Sequence, residues 1–283
     1  PDDTSNEAGF ARQGYYGQLS FLAQILLKQD KTAEALTVLE EYYIGKQSIS
    51  GKDNLMYARV LVADNQEDKA FEVLKEAVVA GNSNAEIDEL FKTLYLKSKG
   101  DAVAYNNYMN GVKNKRLEKL KEKLKSDMIK EEAPNFSLVD FNGNSVSLSD
   151  YKNKIVVLDF WATWCAPCKK SFPAMQMAIN KFKDDKNVEF LFIHTWEREA
   201  DPTQSAKEYI TSNNYDFKVL MDLKNPETKS NEVVSLYKVR GIPAKFVVDD
   251  NGFIRFKLTG FSGGNEAAVD EISLMVDLIK SES

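Results

Sequence analysis

The sequence predicts a multidomain chain, with an all-α N-terminal domain over residues 1–130 and an α/β C-terminal domain over residues 131–283. Three observations carry that expectation. The length, 283 residues, is close to twice the roughly 150 residues of a typical domain. Up to about residue 130, apolar residues recur at three-and-four spacing, the period of a helix with one buried face. Beyond Pro134, short β-branched and aromatic runs alternate with helical stretches, the pattern of an α/β sheet.

Composition narrows the class. Hydrophobic residues make up 43% and charged residues 28% of the chain, which suits globular domains with their own cores. A formal charge of −6 gives no overall field to attract nucleic acid or anionic lipid. A single histidine, His194, and two cysteines, Cys165 and Cys168, are too few for multi-histidine metal centres, four-cysteine zinc ribbons or disulfide-dense scaffolds. Uninterrupted apolar runs such as Ile155 to Leu158 are far shorter than the ~18 residues of a membrane span. The chain opens on Pro1 rather than Met, as expected where a leader or lipid anchor has been removed upstream.

In the first domain Leu26, Leu61 and Leu96 recur at intervals of 35, as do Leu36 and Phe71, Leu39 and Leu74, and the small pair Ala35 and Ala70. Gly45 and Gly81 close the first two segments. The period and the small residues at helix crossings resemble tetratricopeptide repeats, whose helical pairs stack because none can bury its apolar face alone. A third copy carries Tyr105 and Asn106 where the pattern wants Ala and a large apolar residue, which predicts an irregular terminal unit. The lysine-rich stretch from Lys113 to Lys125 reads as the solvated face of the last helix, since Leu117, Leu120 and Leu124 share one stripe. Glu131-Glu132-Ala133-Pro134 is expected to end that helix and place the boundary near 130.

The second domain is expected to begin with a hairpin, Phe136 to Val139 and Ser145 to Leu148, across the Asn142-Gly143 turn. A buried strand, Ile155 to Trp161, leads into a helix from Ala166 to about Phe182, and Val188 to His194 is the next strand. Asp201 and Pro202 are a helix N-cap and first position. Phe217 to Met221 is a strand, and Asn231 to Tyr237 a short helix. Ala244 to Val248 and Phe253 to Thr259 are strands across Asn251-Gly252, before a last helix from about Asn265 to Lys280.

The chemistry sits at the end of the Ile155 strand, in Trp161-Ala162-Thr163-Trp164-Cys165-Ala166-Pro167-Cys168-Lys169. A cysteine at a helix N-terminus lies near unpaired N–H groups and the positive end of the helix dipole, so its thiolate is favoured and it becomes a nucleophile near neutral pH. Two intervening residues bring Cys168 within reach of a disulfide. Cys165 can attack a substrate disulfide and Cys168 can then resolve the mixed disulfide.

Leu158-Asp159-Phe160-Trp161, Trp164 to Lys169, and Gly241-Ile242-Pro243-Ala244 resemble a thioredoxin-fold domain. Ala133-Pro134-Asn135-Phe136-Ser137-Leu138, Asn142-Gly143 and Val146 to Tyr151 make residues 133–283 similar to the TlpA/ResA-type extracytoplasmic thiol-disulfide oxidoreductases. The resemblance implies a thioredoxin-like fold extended by an N-terminal hairpin, and exchange of thiols and disulfides with protein partners, with reduction of the partner expected. It implies that Cys165 attacks and Cys168 resolves, that Pro243 is cis and faces the pair, and that Ile242 pairs with a bound substrate strand. Trp164, Ala166 and Pro167 are expected to border the substrate groove, and Asp159 to carry the Cys168 proton. Ser171 stands where some of these proteins carry an acidic residue.

No dissociable cofactor is expected, the redox group being the Cys165/Cys168 disulfide. Expected partners are protein thiols or disulfides and an upstream redox protein, with protein binding by the helical domain and a membrane role only through a removed anchor. Having no cysteine outside the pair suits an oxidising compartment, and the expected location is the bacterial periplasm or a membrane anchor facing it. The alternatives are a Sco-like copper carrier using both cysteines and His194, a peroxidase, and a non-catalytic scaffold. His194 is otherwise read as a partly buried polar residue, Trp161 as core, and Glu197, Arg198 and Glu199 as solvated loop charge.

Overall fold

In the computed structural model the described residues are 6–45, 50–81, 83–261 and 264–282, and the chain divides into two compact units, 1–116 and 117–283. The first is helical. It contains α1 (Asn6–Lys28), α2 (Thr32–Gly45), α3 (Gly51–Ala63), α4 (Glu67–Val79), α5 (Ala85–Ser98) and the first part of α6 (Ala102–Asp127). Helices α2, α4 and α6 begin at 32, 67 and 102, the 35-residue interval of the sequence. Ala35, Ala70, Leu39 and Leu74 have no exposed surface, so the recurring small residues let helices approach while the leucines fill the core.

Leu96 departs from the expected pattern: it is 40% exposed, whereas Leu61 is fully buried. The reason is a one-residue change in phase. Leu61 is the eleventh residue of α3, but Leu96 is the twelfth of α5, and one residue turns a helix face by ~100°. The core position passes to Leu94, Phe91 and the ring of Tyr105, which lies 6.2 Å from the Phe91 ring and 5.5 Å from the Tyr95 ring.

The second unit takes the last turns of α6, where Leu124 is buried and Leu120 packs beside it while the neighbouring lysines face outward. The run Glu131-Glu132 does not terminate the helix; α6 already ends at Asp127, and these residues form β1 (Glu131–Glu132). They pair antiparallel with Ile254 and Phe253, and backbone bonds made by an incoming edge strand are invisible to a residue-by-residue reading. The remaining elements are β2 (Ser137–Asp140), β3 (Ser145–Ser147), a 3-10 turn Leu148–Tyr151, β4 (Ile155–Trp161), α7 (Ala166–Phe182), β5 (Val188–His194), α8 (Pro202–Ser212), β6 (Lys218–Met221), α9 (Glu232–Leu236), β7 (Ala244–Val248), β8 (Phe253–Thr259) and α10 (Gly264–Glu282).

The eight strands among the described residues form one sheet in the order β1-β8-β7-β4-β5-β6-β2-β3. Strand β4 lies inside it, parallel to β5 and antiparallel to β7, and all seven of its residues are buried. Side chains alternate between faces. Ile155, Val157 and Trp161 point to the core under α7, α8 and α10, whereas Val156, Leu158 and Phe160 join Val233 and Val234 of α9 on the other face. Asp159 therefore falls in the layer beneath α7. This is the thioredoxin-like arrangement, with a hairpin added at the β6 edge by β2 and β3.

Candidate active site

The strand β4 ends at Trp161, and four residues later Cys165 is the N-cap of α7. Its backbone is extended, with φ −81° and ψ 95°, and its Sγ accepts the Cys168 N–H at 3.2 Å, where a serine or aspartate oxygen would act in an ordinary cap. Ala166 opens the helix and Pro167 follows, where a missing N–H costs nothing. Cys165 and Cys168 are joined as a disulfide with Cα atoms 5.3 Å apart. The pair sits just beneath the surface, Cys165 2% exposed and Cys168 fully covered, below a rim of exposed Trp164, Ala166 and Pro167. Ser171 is buried and its hydroxyl donates to the Cys168 carbonyl at 2.8 Å.

From the other side comes the start of β7. Ala244 pairs with Phe160, which brings the buried Pro243 level with the end of β4, where the cysteine loop leaves the sheet. The Ile242–Pro243 bond is cis, the Pro243 carbonyl accepts the Gly260 N–H at 2.8 Å, and Ile242 is half-buried. Trp161 is fully buried, its ring 5.0 Å from that of Phe172 on α7.

Asp159 is 1% exposed, and burial raises its pKa against the opposing charge of Lys245. Lys245 stands directly across the β4–β7 ladder, its Nζ 3.2 Å from Oδ2 of Asp159. The sequence reading missed this lysine, although one cationic residue in the otherwise apolar Ala244 to Val248 run was the available signal. Beside it a cavity of about 130 Å³ is lined by Lys245, Thr259 and Glu271, and burial raises the Glu271 pKa as well.

The loop after β5 overturns two expectations. His194 is fully buried rather than partly so, because it is the last residue of a strand inside the sheet and packs 4.8 Å from the Trp161 ring. Burial holds its imidazole pKa below the ordinary value, so near neutral pH the ring is uncharged. Glu197 is not solvated loop charge; it is 7% exposed and receives the His194 Nε2 at 2.9 Å. The same carboxylate accepts the Thr163 N–H at 3.1 Å, the Thr163 hydroxyl at 2.5 Å and the Arg198 N–H at 2.7 Å. Burial alone would raise the Glu197 pKa, but these donors prevail and bring it down to about 2. Arg198 and Glu199 are exposed, and the Arg198 guanidinium lies 4.2 Å over the Trp164 ring.

Among the described residues no group of three or more His, Cys, Asp or Glu side chains is placed to hold a metal ion, and His194 is engaged with Glu197. No helix among them is long and apolar enough to cross a membrane. The arrangement presents a disulfide at a helix N-terminus, covered by an aromatic and proline rim, which a thiolate can open and reclose.

Residues 129–257 match the AhpC/TSA family. The chain is 35% identical over 141 residues to a thiol-disulfide oxidoreductase ResA of Bacillus cereus, covering 50% of this chain and 73% of that protein. It is 34% identical over 129 residues to ResA of Bacillus subtilis, covering 46% of this chain and 66% of the relative. A solved thiol:disulfide interchange protein from Bacteroides sp. is 27% identical and covers 53% of this chain and 88% of its own, with a TM-score of 0.43.

Proposed function

Because the chain belongs, through its C-terminal unit, to the ResA family of thioredoxin-like thiol-disulfide oxidoreductases, we propose that it reduces disulfides of other proteins outside the cytoplasm. Thiol–disulfide exchange runs through Cys165 and Cys168. The observation that carries the reading is the position of that disulfide, at the N-cap of α7 and just beneath exposed Trp164, Ala166 and Pro167. In the reduced enzyme the Cys165 thiolate attacks one sulfur of a substrate disulfide, forming a mixed disulfide and releasing the other sulfur as a thiolate. Cys168 then loses its proton and attacks the Cys165 sulfur, which restores the Cys165–Cys168 disulfide and releases the second substrate thiolate. Two electrons pass to the substrate, and a separate dithiol must return them to the pair.

The rim supports a polypeptide substrate. Trp164 offers an apolar face next to the nucleophile, and the half-buried Ile242 before cis Pro243 is the backbone we assign to pair with an extended substrate chain. The 35-residue interval between helix starts supports a tetratricopeptide-like reading of the first unit and a protein-binding role for it. The direction of exchange is tested by equilibrating the protein in glutathione redox buffers and following the thiols by alkylation. A midpoint more reducing than the glutathione couple is the expected result; a clearly more oxidising one makes the protein an oxidant, and a pair that never cycles reduces it to a scaffold.

Asp159 is the group we assign to take the Cys168 proton in the resolving step. It lies in the layer beneath α7 and burial raises its pKa, so its basic form accumulates only as pH climbs above the ordinary carboxylate range. Resolution in the native enzyme should therefore accelerate with pH through that raised pKa. Asp159→Asn is expected to slow release of a preformed mixed disulfide about a hundredfold near pH 7 and to remove this limb from the pH–rate curve. An unaltered curve in stopped-flow measurements would rule out the assignment.

A further inference from the structure

We propose that Glu197 is a positioning residue of the exchange centre: it clamps the Thr163-Trp164 segment in front of Cys165 and sets how readily that cysteine gives up its proton. The inference rests on the exchange function assigned to the pair. A carboxylate in a surface loop loses solvation when it turns inward, and the loss is recovered only where donors meet it. Here the donors come from the segment leading to the nucleophile. Oε2 of Glu197 accepts both the backbone N–H and the hydroxyl of Thr163, two residues before Cys165, together with His194 Nε2.

The neighbours of Glu197 grip the next residue. The Trp164 Nε1–H donates to the Trp196 carbonyl at 2.8 Å, and Arg198 stacks on the Trp164 ring. Trp196 holds φ at +52°, a left-handed conformation that is costly for a bulky side chain and persists only where the surroundings determine it. Three successive residues, 196 to 198, thus fix the two that precede the nucleophile.

The electrostatic consequence follows from the same geometry. The N-terminal end of α7 stabilises a thiolate at Cys165, whereas a fixed anion bonded to Thr163 opposes it. The anion thereby favours the disulfide over the thiolate, the bias that a reductant needs. Other charged groups around this end of α7 are Arg198 over Trp164, Lys169 with Nζ 5.3 Å from the Tyr209 ring centroid, and the buried Asp159–Lys245 pair beneath it. None of these residues is itself substituted in the variants below.

The test is the pH dependence of iodoacetamide alkylation of Cys165 in reduced protein carrying Cys168→Ser. Glu197→Gln keeps the shape and removes the charge, so the alkylation midpoint should fall and the rate below it rise roughly tenfold. Glu197→Asp, which keeps the charge, should return the midpoint toward the native value. Thr163→Val withdraws the hydroxyl that neutralises the carboxylate while leaving its charge, and should move the midpoint upward. Thr163 is half-buried and the change is isosteric, so this arm stands even if Glu197→Gln does not fold. Native midpoints in both variants, or shifts of the same sign in both, overturn the inference. If the wild-type pair exchanges with disulfides while the variants titrate as wild type, only this inference falls; if the wild-type pair itself does not exchange, the functional assignment falls first.

Discussion

Cys168→Ser is expected to arrest the enzyme after its first exchange and to leave Cys165 covalently joined to its partner. The Cys168 sulfur is held one helical turn from Cys165, with the two Cα atoms 5.3 Å apart and the Cys168 backbone N–H directed at the Cys165 sulfur. A group so placed acts at an effective concentration on the order of 10⁵ M or more, which millimolar external thiols do not match. Turnover of a protein disulfide is therefore expected to drop at least a thousandfold, and adducts that vanish on addition of dithiothreitol should accumulate on non-reducing gels. Mass spectrometry of those adducts would identify the substrates. Cys165→Ser should form none. Turnover within tenfold of wild type in Cys168→Ser, or adducts carried equally by Cys165→Ser, would contradict the assigned order of attack.

The second large effect is on stability. Phe172 of α7 is fully buried, and its ring meets those of Trp161 at 5.0 Å, Phe192 at 6.0 Å, Tyr215 at 5.5 Å and Phe217 at 5.0 Å. It joins the helix that begins at the cysteines to strands β4 and β5 and to the segment just before β6. Phe172→Ala removes a large apolar group and leaves a cavity between rings that cannot all collapse into it, at a cost of about 3–5 kcal/mol. Urea unfolding of the second unit, followed by near-ultraviolet circular dichroism, should show the transition at markedly lower denaturant. A loss below about 1 kcal/mol would mean that the ring cluster repacks freely. Since α7 also carries Cys165 at its start, the same variant should exchange disulfides more slowly even where it remains folded.

Much of the second unit was legible along the chain. Strand Ile155 to Trp161, helix Ala166 to Phe182 and the Asp201 cap follow from residues that are neighbours in sequence: a buried apolar run, a cysteine and proline at a helix start, an aspartate before a proline. The Asp201 side chain accepts the Gln204 N–H at 2.9 Å, the bond such a cap makes. The two-residue strand Glu131–Glu132 was not legible, because its only reason to be extended is a partner more than a hundred residues away. Leu96 misled for a related reason. A repeat of 35 tolerates a slip of one residue in the sequence, but the helix face does not.

The same division runs through the site. Cys165, Ala166, Pro167 and Cys168 form a local motif, and Trp164 adjoins it, so their chemistry was present in the order of residues alone. By contrast, Lys245 reaches Asp159 only through the β4–β7 register, and Glu197 meets Thr163 across a separation of 34 residues. Charge pattern could not distinguish a solvated glutamate from one sealed by hydrogen-bond donors, because both look alike until the surrounding chain is placed. Local order determined the helices, most of the strands and the redox pair, since each rests on contacts within a turn or on the period of one element. The tertiary structure alone decided which charges are buried, what faces them and how the nucleophile is held, because those depend on hydrogen bonds and exclusion of water between segments far apart in the chain.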